Sequence, residues 1–139
     1  MREILFRGKR IDNGEWINGY LVGGNLFVYE STVICLEGVS HKAFEVEAST
    51  VGQYTNLKDR NGRRIFEGDF VAEYHPPKGS YPEWYDKPYL VSFDENRRGW
   101  YPFACGDGCG CCEVETVSPY VCDVLGNIHD NPKLMEEYE

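Results

Sequence analysis

Cys105, Cys109, Cys111 and Cys112 crowd one short segment, separated by Gly106, Gly108 and Gly110. Cys109 and Cys112 keep the two-residue gap through which two thiolates can meet one ion, and the glycines permit the tight turn this needs. A structural zinc site takes four ligands. Cys105 would be the third, and Cys122 or His129 the fourth. The second, separated Cys-x-x-Cys pair of common zinc folds is absent. The competing readings are a redox pair and a flexible loop of free thiols. A redox pair normally sits at a helix N-terminus that lowers a thiol pKa, and no helix is expected here. The expectation is therefore no cofactor, with structural zinc at Cys105, Cys109, Cys112 and Cys122 as the alternative. Cys35 reads as a small buried hydrophobe.

Two other groups could act without metal. Lys58, Arg60, Arg63 and Arg64 surround Asn61-Gly62, and a basic β-hairpin can track phosphates. Asp59, Glu67 and Asp69 dilute that charge, and exposed turns are commonly charged for solubility. The second group is aromatic. Tyr81, Trp84 and Tyr85 lie in a segment with Pro76, Pro77, Gly79-Ser80 and Pro82, where large rings suit a partner-binding patch or a lid folded over the core. Trp100 joins them as a candidate binding residue, although core packing competes. With Arg97-Arg98 and Tyr101 it would also make a stacking surface.

Signs of catalysis are few. There is no Gly-x-Ser-x-Gly, no His-Glu-x-x-His and no phosphate-binding glycine loop ending in Lys-Ser/Thr. Glu67-Gly68-Asp69 pairs two carboxylates, but both lie in turn chemistry that explains them structurally. His41, His75 and His129 have no assignable partner, and a Cys nucleophile with His129 is the one conceivable pair. The expectation is that the protein is not an enzyme.

The elements that must position these groups are strands. Ile4–Arg10 suits an edge strand running into the Asp12-Asn13-Gly14 turn. Trp16–Val22 follows, and Gly23-Gly24-Asn25 turns into Leu26–Tyr29, a β-meander by its turn spacing. Thr32–Leu36 is β-branched and apolar, and Ala43–Glu47 alternates. Ser49–Thr55 bridges to the central stretch Gln53–Val71. There Asn61-Gly62 predicts a type I′ hairpin with positive φ at both residues, Glu67-Gly68-Asp69 a tight bend, and Phe70–Tyr74 a strand. His75–Lys87 is too proline-rich for a central strand and is expected as a long surface loop. Tyr89–Phe93, Trp100–Phe103, Val114–Val117 and Tyr120–Leu125 complete the strands. Asp130-Asn131-Pro132 has the form of a helix start, predicting a short helix over Lys133–Tyr138.

The 139 residues carry a net charge of −9, and 14% are aromatic. That balance allows a packed β core and repels phosphate backbones overall. No apolar run approaches the ~20 residues of a membrane span, and the N-terminus has no signal-peptide core. The expected location is cytoplasmic, with reduced thiols.

Ile4-Leu5-Phe6-Arg7-Gly8-Lys9-Arg10 followed by Trp16 and Gly19-Tyr20 resembles the opening of the YopX family of phage and prophage proteins. So do Val51–Asp59, the Asn61-Gly62 turn, Ile65–Asp69 and the closing Gly126–Pro132. The resemblance is weakest over His75–Cys112. It implies an all-β fold with an SH3-like barrel in the C-terminal part (57–139), a small β-rich N-terminal part (1–56) and a phage setting. It brings no catalytic residues. The function expected is a non-catalytic binding or interaction module acting through Tyr81, Trp84, Tyr85 and Trp100 on a protein partner or on itself. The alternatives are a nucleic-acid accessory protein using Lys58, Arg60, Arg63 and Arg64, and a self-associating structural protein.

Overall fold

The computed structural model describes residues 4–22, 31–37, 43–95, 98–103 and 117–134. Contacts divide the chain into two units, Met1–Tyr54 and Thr55–Glu139.

The first unit is built from β1 (Phe6–Lys9), β2 (Trp16–Val22), β3 (Ser31–Leu36), β4 (Ala43–Glu47) and the start of β5 (Gly52–Lys58). The order is β4-β3-β2-β1-β5, with the β1–β4 neighbours all antiparallel. β1 and β2 are joined through a loop in which Gly14 takes φ 70° and donates its N–H to the Arg10 carbonyl. Past β1, Arg10 bridges to Val46 of β4. β1 and β2 each carry a glycine where a neighbour leaves no room for a side chain. A Cβ on Gly8 would lie 2.9 Å from Val46 Cγ2, and one on Gly19 would meet the Cys35 carbonyl oxygen and Ile34 Cγ2. Leu5, Ile34 and Val46 are fully buried. Leu26–Tyr29, expected as a strand, lies outside the described residues.

Where the sequence suggests a mere bridge, the structure has the seven-residue strand β5. Gly52 and Gln53 pair with Arg7 and Phe6 of β1 in the first unit. The remainder runs beside β6 (Arg64–Phe66) in the second. Within β5, Asn56 takes φ 68°, a conformation asparagine tolerates better than most residues.

In the second unit, β5 and β6 are joined through residues 59–63. The hairpin differs from the expected type I′: positive φ occurs at Gly62 (82°) and not at Asn61. Asp59 is the reason. Its Oδ1 accepts the N–H groups of Asn61 and Arg63, both at 2.9 Å, and its carbonyl accepts that of Gly62. That bonding holds the first turn residues right-handed and leaves only the glycine left-handed. The Glu67-Gly68 bend forms as expected, with Gly68 at φ 92° and Asp69 Oδ2 accepting the Phe66 N–H at 2.8 Å.

β7 (Asp69–His75) is the axis of this unit. One edge pairs with β12 (Cys122–Asn127). The other pairs with β8 (Trp84–Tyr85) at Tyr74-His75 and with β9 (Tyr89–Leu90) at Phe70-Val71. β10 (Ser92–Asp94) and β11 (Gly99–Tyr101) pair with each other. The core gathers Ile65, Val71, Val91, Trp100 and Cys122, with Leu57, Tyr89 and Val124 against it.

Two expectations need correction. The fold is all-β, but no closed barrel forms among the described residues, so the SH3-like barrel is not found. Buried Pro88, which lacks an N–H, separates β8 from β9. Val91 donates to the Asp69 carbonyl and so extends the β9–β7 pairing, but β10 and β11 pair only with each other among the described residues, and the ladder does not carry round. The expected C-terminal helix does not start at Asp130-Asn131-Pro132 either. Asp130 Oδ2 accepts from Asn127 Nδ2 and Asn131 Oδ1 from the Asn127 N–H. The two candidate caps are thus bound backwards, and 132–134 is a turn. Residues 135–139 lie outside the described residues.

Candidate functional site

β7, β8 and β12 place a polar and aromatic cluster where β7 leaves the core. Alternation along β7 sends Ala72 and Tyr74 to one face and Glu73 and His75 to the other. The cross-strand partners follow suit: Asp123 lies opposite Ala72, Tyr85 opposite Tyr74, and Trp84 opposite His75.

The first face is organised by Asp123, which is buried. Arg60 donates to it through two nitrogens, each at 2.9 Å. Asn61 Nδ2 adds a bond at 3.1 Å, and the Tyr85 hydroxyl one at 2.7 Å. The Arg60 guanidinium lies 3.8 Å from the centre of the Tyr74 ring, and the Tyr74 hydroxyl donates to Glu83 at 2.7 Å. The Arg60 hydrogen bonds hold the Asp123 carboxyl below its ordinary 3.8, against the opposing effect of burial. The bond to Asp123 pushes the Tyr85 hydroxyl up to about 12, because its ionisation would set two anions together.

A pH dependence follows. A carboxyl whose pKa is depressed by folding stabilises the protein fully above its unfolded value, and that contribution is lost as the pH falls through the lower folded value. Asp123→Asn is therefore expected to flatten the acid limb of the stability curve, measured by urea unfolding from about pH 6 to about pH 2. An acid limb as steep as that of the wild type would contradict this role.

The second face carries His75, Trp84, Asp86 and Glu73. The His75 and Trp84 rings are stacked, with centroids 3.8 Å apart and planes 7° apart. His75 Nε2 lies 3.0 Å from Asp86 Oδ2 and 3.9 Å from Glu73 Oε2. The segment expected as a loose loop is itself a structured hairpin. Lys78 and Tyr81 exchange both backbone hydrogen bonds at 3.0 Å around Gly79, whose φ is 61°. Tyr81 is 75% exposed and Trp84 52%, so neither forms a lid over the core.

The remaining candidates are scattered. Tyr85 is half-buried and bonded to Asp123. Trp100, a candidate binding residue for which core packing competes, is a core residue, edge-on to Phe93 at 5.3 Å. Of the basic group, Lys58 and Arg63 are exposed and Arg64 is half-buried, while Arg60 is held by Asp123. The hairpin is thus less cationic than its composition suggests. Cys122, the suggested fourth zinc ligand, is fully buried in the core. Burial pushes its thiol up to about 12. Cys105, Cys109 and Cys112 lie outside the described residues. Sequence reasoning misses Asp123, His75 and Asp86. The one available signal is the alternation Glu73-Tyr74-His75 continuing the β7 pattern, which the following prolines obscure.

These features define an all-β protein of two units with an aromatic and acidic corner on the second. The chain matches the family described as "YopX protein" over residues 5–136 and belongs to it. It is also similar to the crystal structure of protein EF1440 from Enterococcus faecalis. That similarity has 21% identity and a TM-score of 0.57, and covers 97% of this chain and 99% of the other; it supports the fold alone. Among curated proteins no match was found.

Proposed function

We propose that the protein is a non-catalytic binding module that receives a protein partner at the β7–β8 corner. The observation that carries this reading is Trp84: more than half exposed, yet held flat against His75. An exposed ring that is already immobilised loses little freedom on binding, and tryptophan is among the residues most enriched at interface hot spots. Tyr81 adds a second exposed ring from the Lys78–Tyr81 turn. Glu73, Glu83 and Asp86 supply carboxylates around them, which favours a partner segment with an apolar anchor flanked by basic residues. The acidic charge of the chain and the engagement of Arg60 by Asp123 weigh against nucleic acid. The same reading sets the protein in the cytoplasm of a bacterial host, in a phage or prophage setting.

The test is a pull-down from the lysate of a bacterium that carries a family member. The wild-type chain is expected to retain a partner that the Trp84→Ala/Tyr81→Ala variant loses. Ile128→Ala, which removes a side chain 39% exposed beside the opposite end of β7, should keep it. Binding should also weaken as salt screens the carboxylates. A bound set that is the same for all three proteins would refute the placement.

A further inference from the structure

We propose that Glu73, His75 and Asp86 form a binding site for one divalent transition-metal ion of zinc-like ligand preference. Their ligand atoms lie within 4.8 Å of one another. A tetrahedral ion with bonds of about 2.0–2.1 Å sets its ligands about 3.3 Å apart. The two distances from His75 Nε2, 3.0 Å to Asp86 and 3.9 Å to Glu73, bracket that spacing. Small side-chain rotations therefore close the triangle without moving the backbone.

The backbone is held where the site needs it. Glu73 and His75 are two residues apart on one strand and share a face. Asp86 is fixed by its N–H, which donates to the Glu73 carbonyl at 3.0 Å. The stacked Trp84 ring sets the plane of the imidazole, as a supporting group does around a metal-ligating histidine. The three side chains are 30–38% exposed, so an ion can reach them and water can complete its coordination. One imidazole nitrogen with two carboxylate oxygens suits zinc and its neighbours, and an ion would offset two clustered negative charges in a chain that already carries −9. The imidazole distinguishes the group from an ordinary acidic cluster. The site shares Glu73 and Asp86 with the partner reading, but it is tested on the protein alone, so the two can fail separately.

The full chain is titrated with Co²⁺ as a paramagnetic probe, and the indole N–H resonance of Trp84, assigned with Trp84→Phe, is followed. One equivalent of Co²⁺ is expected to broaden that resonance. The response should persist when Cys105, Cys109, Cys111 and Cys112 are all changed to Ser. It should require at least tenfold more Co²⁺ in His75→Gln. Glu73→Gln leaves the His75–Asp86 contact in place and should also weaken binding severalfold; it decides the matter if the rest of the His75→Gln spectrum reports misfolding. A resonance unmoved by Co²⁺, a response unchanged in the ligand variants, or one abolished by the cysteine changes would each overturn the site.

Discussion

Asp59→Ala is expected to lower stability by about 3 kcal/mol, because it strips the acceptor from three backbone N–H groups at once. Asp59 is buried. One carboxyl oxygen accepts from Asn61 and Arg63, and the other accepts from Val124 at 3.1 Å. The side chain therefore shapes the β5–β6 turn and fastens it to β12, beside the bond from the Arg60 N–H to the Cys122 carbonyl at 2.9 Å. Alanine leaves those donors without the partner that shaped the turn. Asparagine, with a single carbonyl oxygen, should lose roughly half as much. Urea unfolding of the two variants measures this, and an alanine variant within about 0.5 kcal/mol of the wild type would contradict the role.

Gly19→Ala is expected to cost about 3 kcal/mol or more by a different route, overpacking. The constraint at Gly19 is space. A Cβ would strike the backbone carbonyl oxygen of Cys35 and lie 2.6 Å from Ile34 Cγ2. Neither can swing away as a flexible side chain would. Ile34 is fully buried, and Cys35 lies in a ladder that runs from Gly19–Leu36 to Val22–Val33. Relief requires β2 and β3 to separate, which lies at or beyond the upper end of ordinary overpacking costs. Gly19→Ser should be no better tolerated, since the clash is already made by Cβ. Unfolding of Gly19→Ala at the wild-type urea midpoint would show that the sheet gives way more easily than this packing implies.

The all-β character and several elements are legible in the sequence because local chemistry determines them. Trp16–Val22 and Ala43–Glu47 are strands over the very residues that alternation and composition predict. Gly68 bends the chain where Glu67-Gly68-Asp69 predicts it. What stays hidden depends on contacts distant in sequence. β5 serves one unit at Gly52-Gln53 and another from Thr55 on, so no single apolar period runs along it. The Asn61-Gly62 turn can be found but its type cannot, because Asp59 selects it through bonds to two amides and to Val124 on β12. The supposed helix start fails because Asn127 binds both of its caps.

The site is half legible for the same reason. Tyr81 and Trp84 stand out as rings in a proline-rich segment, and both are exposed. Trp100 and Cys122 look similar by type, but pairing of β11 with β10 and of β12 with β7 carries them into the core. His75 and Asp86 are 11 residues apart, and they meet only because a turn at Gly79 folds the segment back onto β7. Asp123 is 63 residues from Arg60. Nothing in a linear reading joins them.

The central claim is that the Trp84 corner is where a partner sits. A photo-crosslinking amino acid placed at position 84, at 81 and, as a control beside the opposite end of β7, at 128 tests it directly in living cells. Discrete adducts of one partner from positions 84 and 81, with none from 128, are the predicted result. No adduct from 84 or 81, or the same pattern from all three positions, would contradict it.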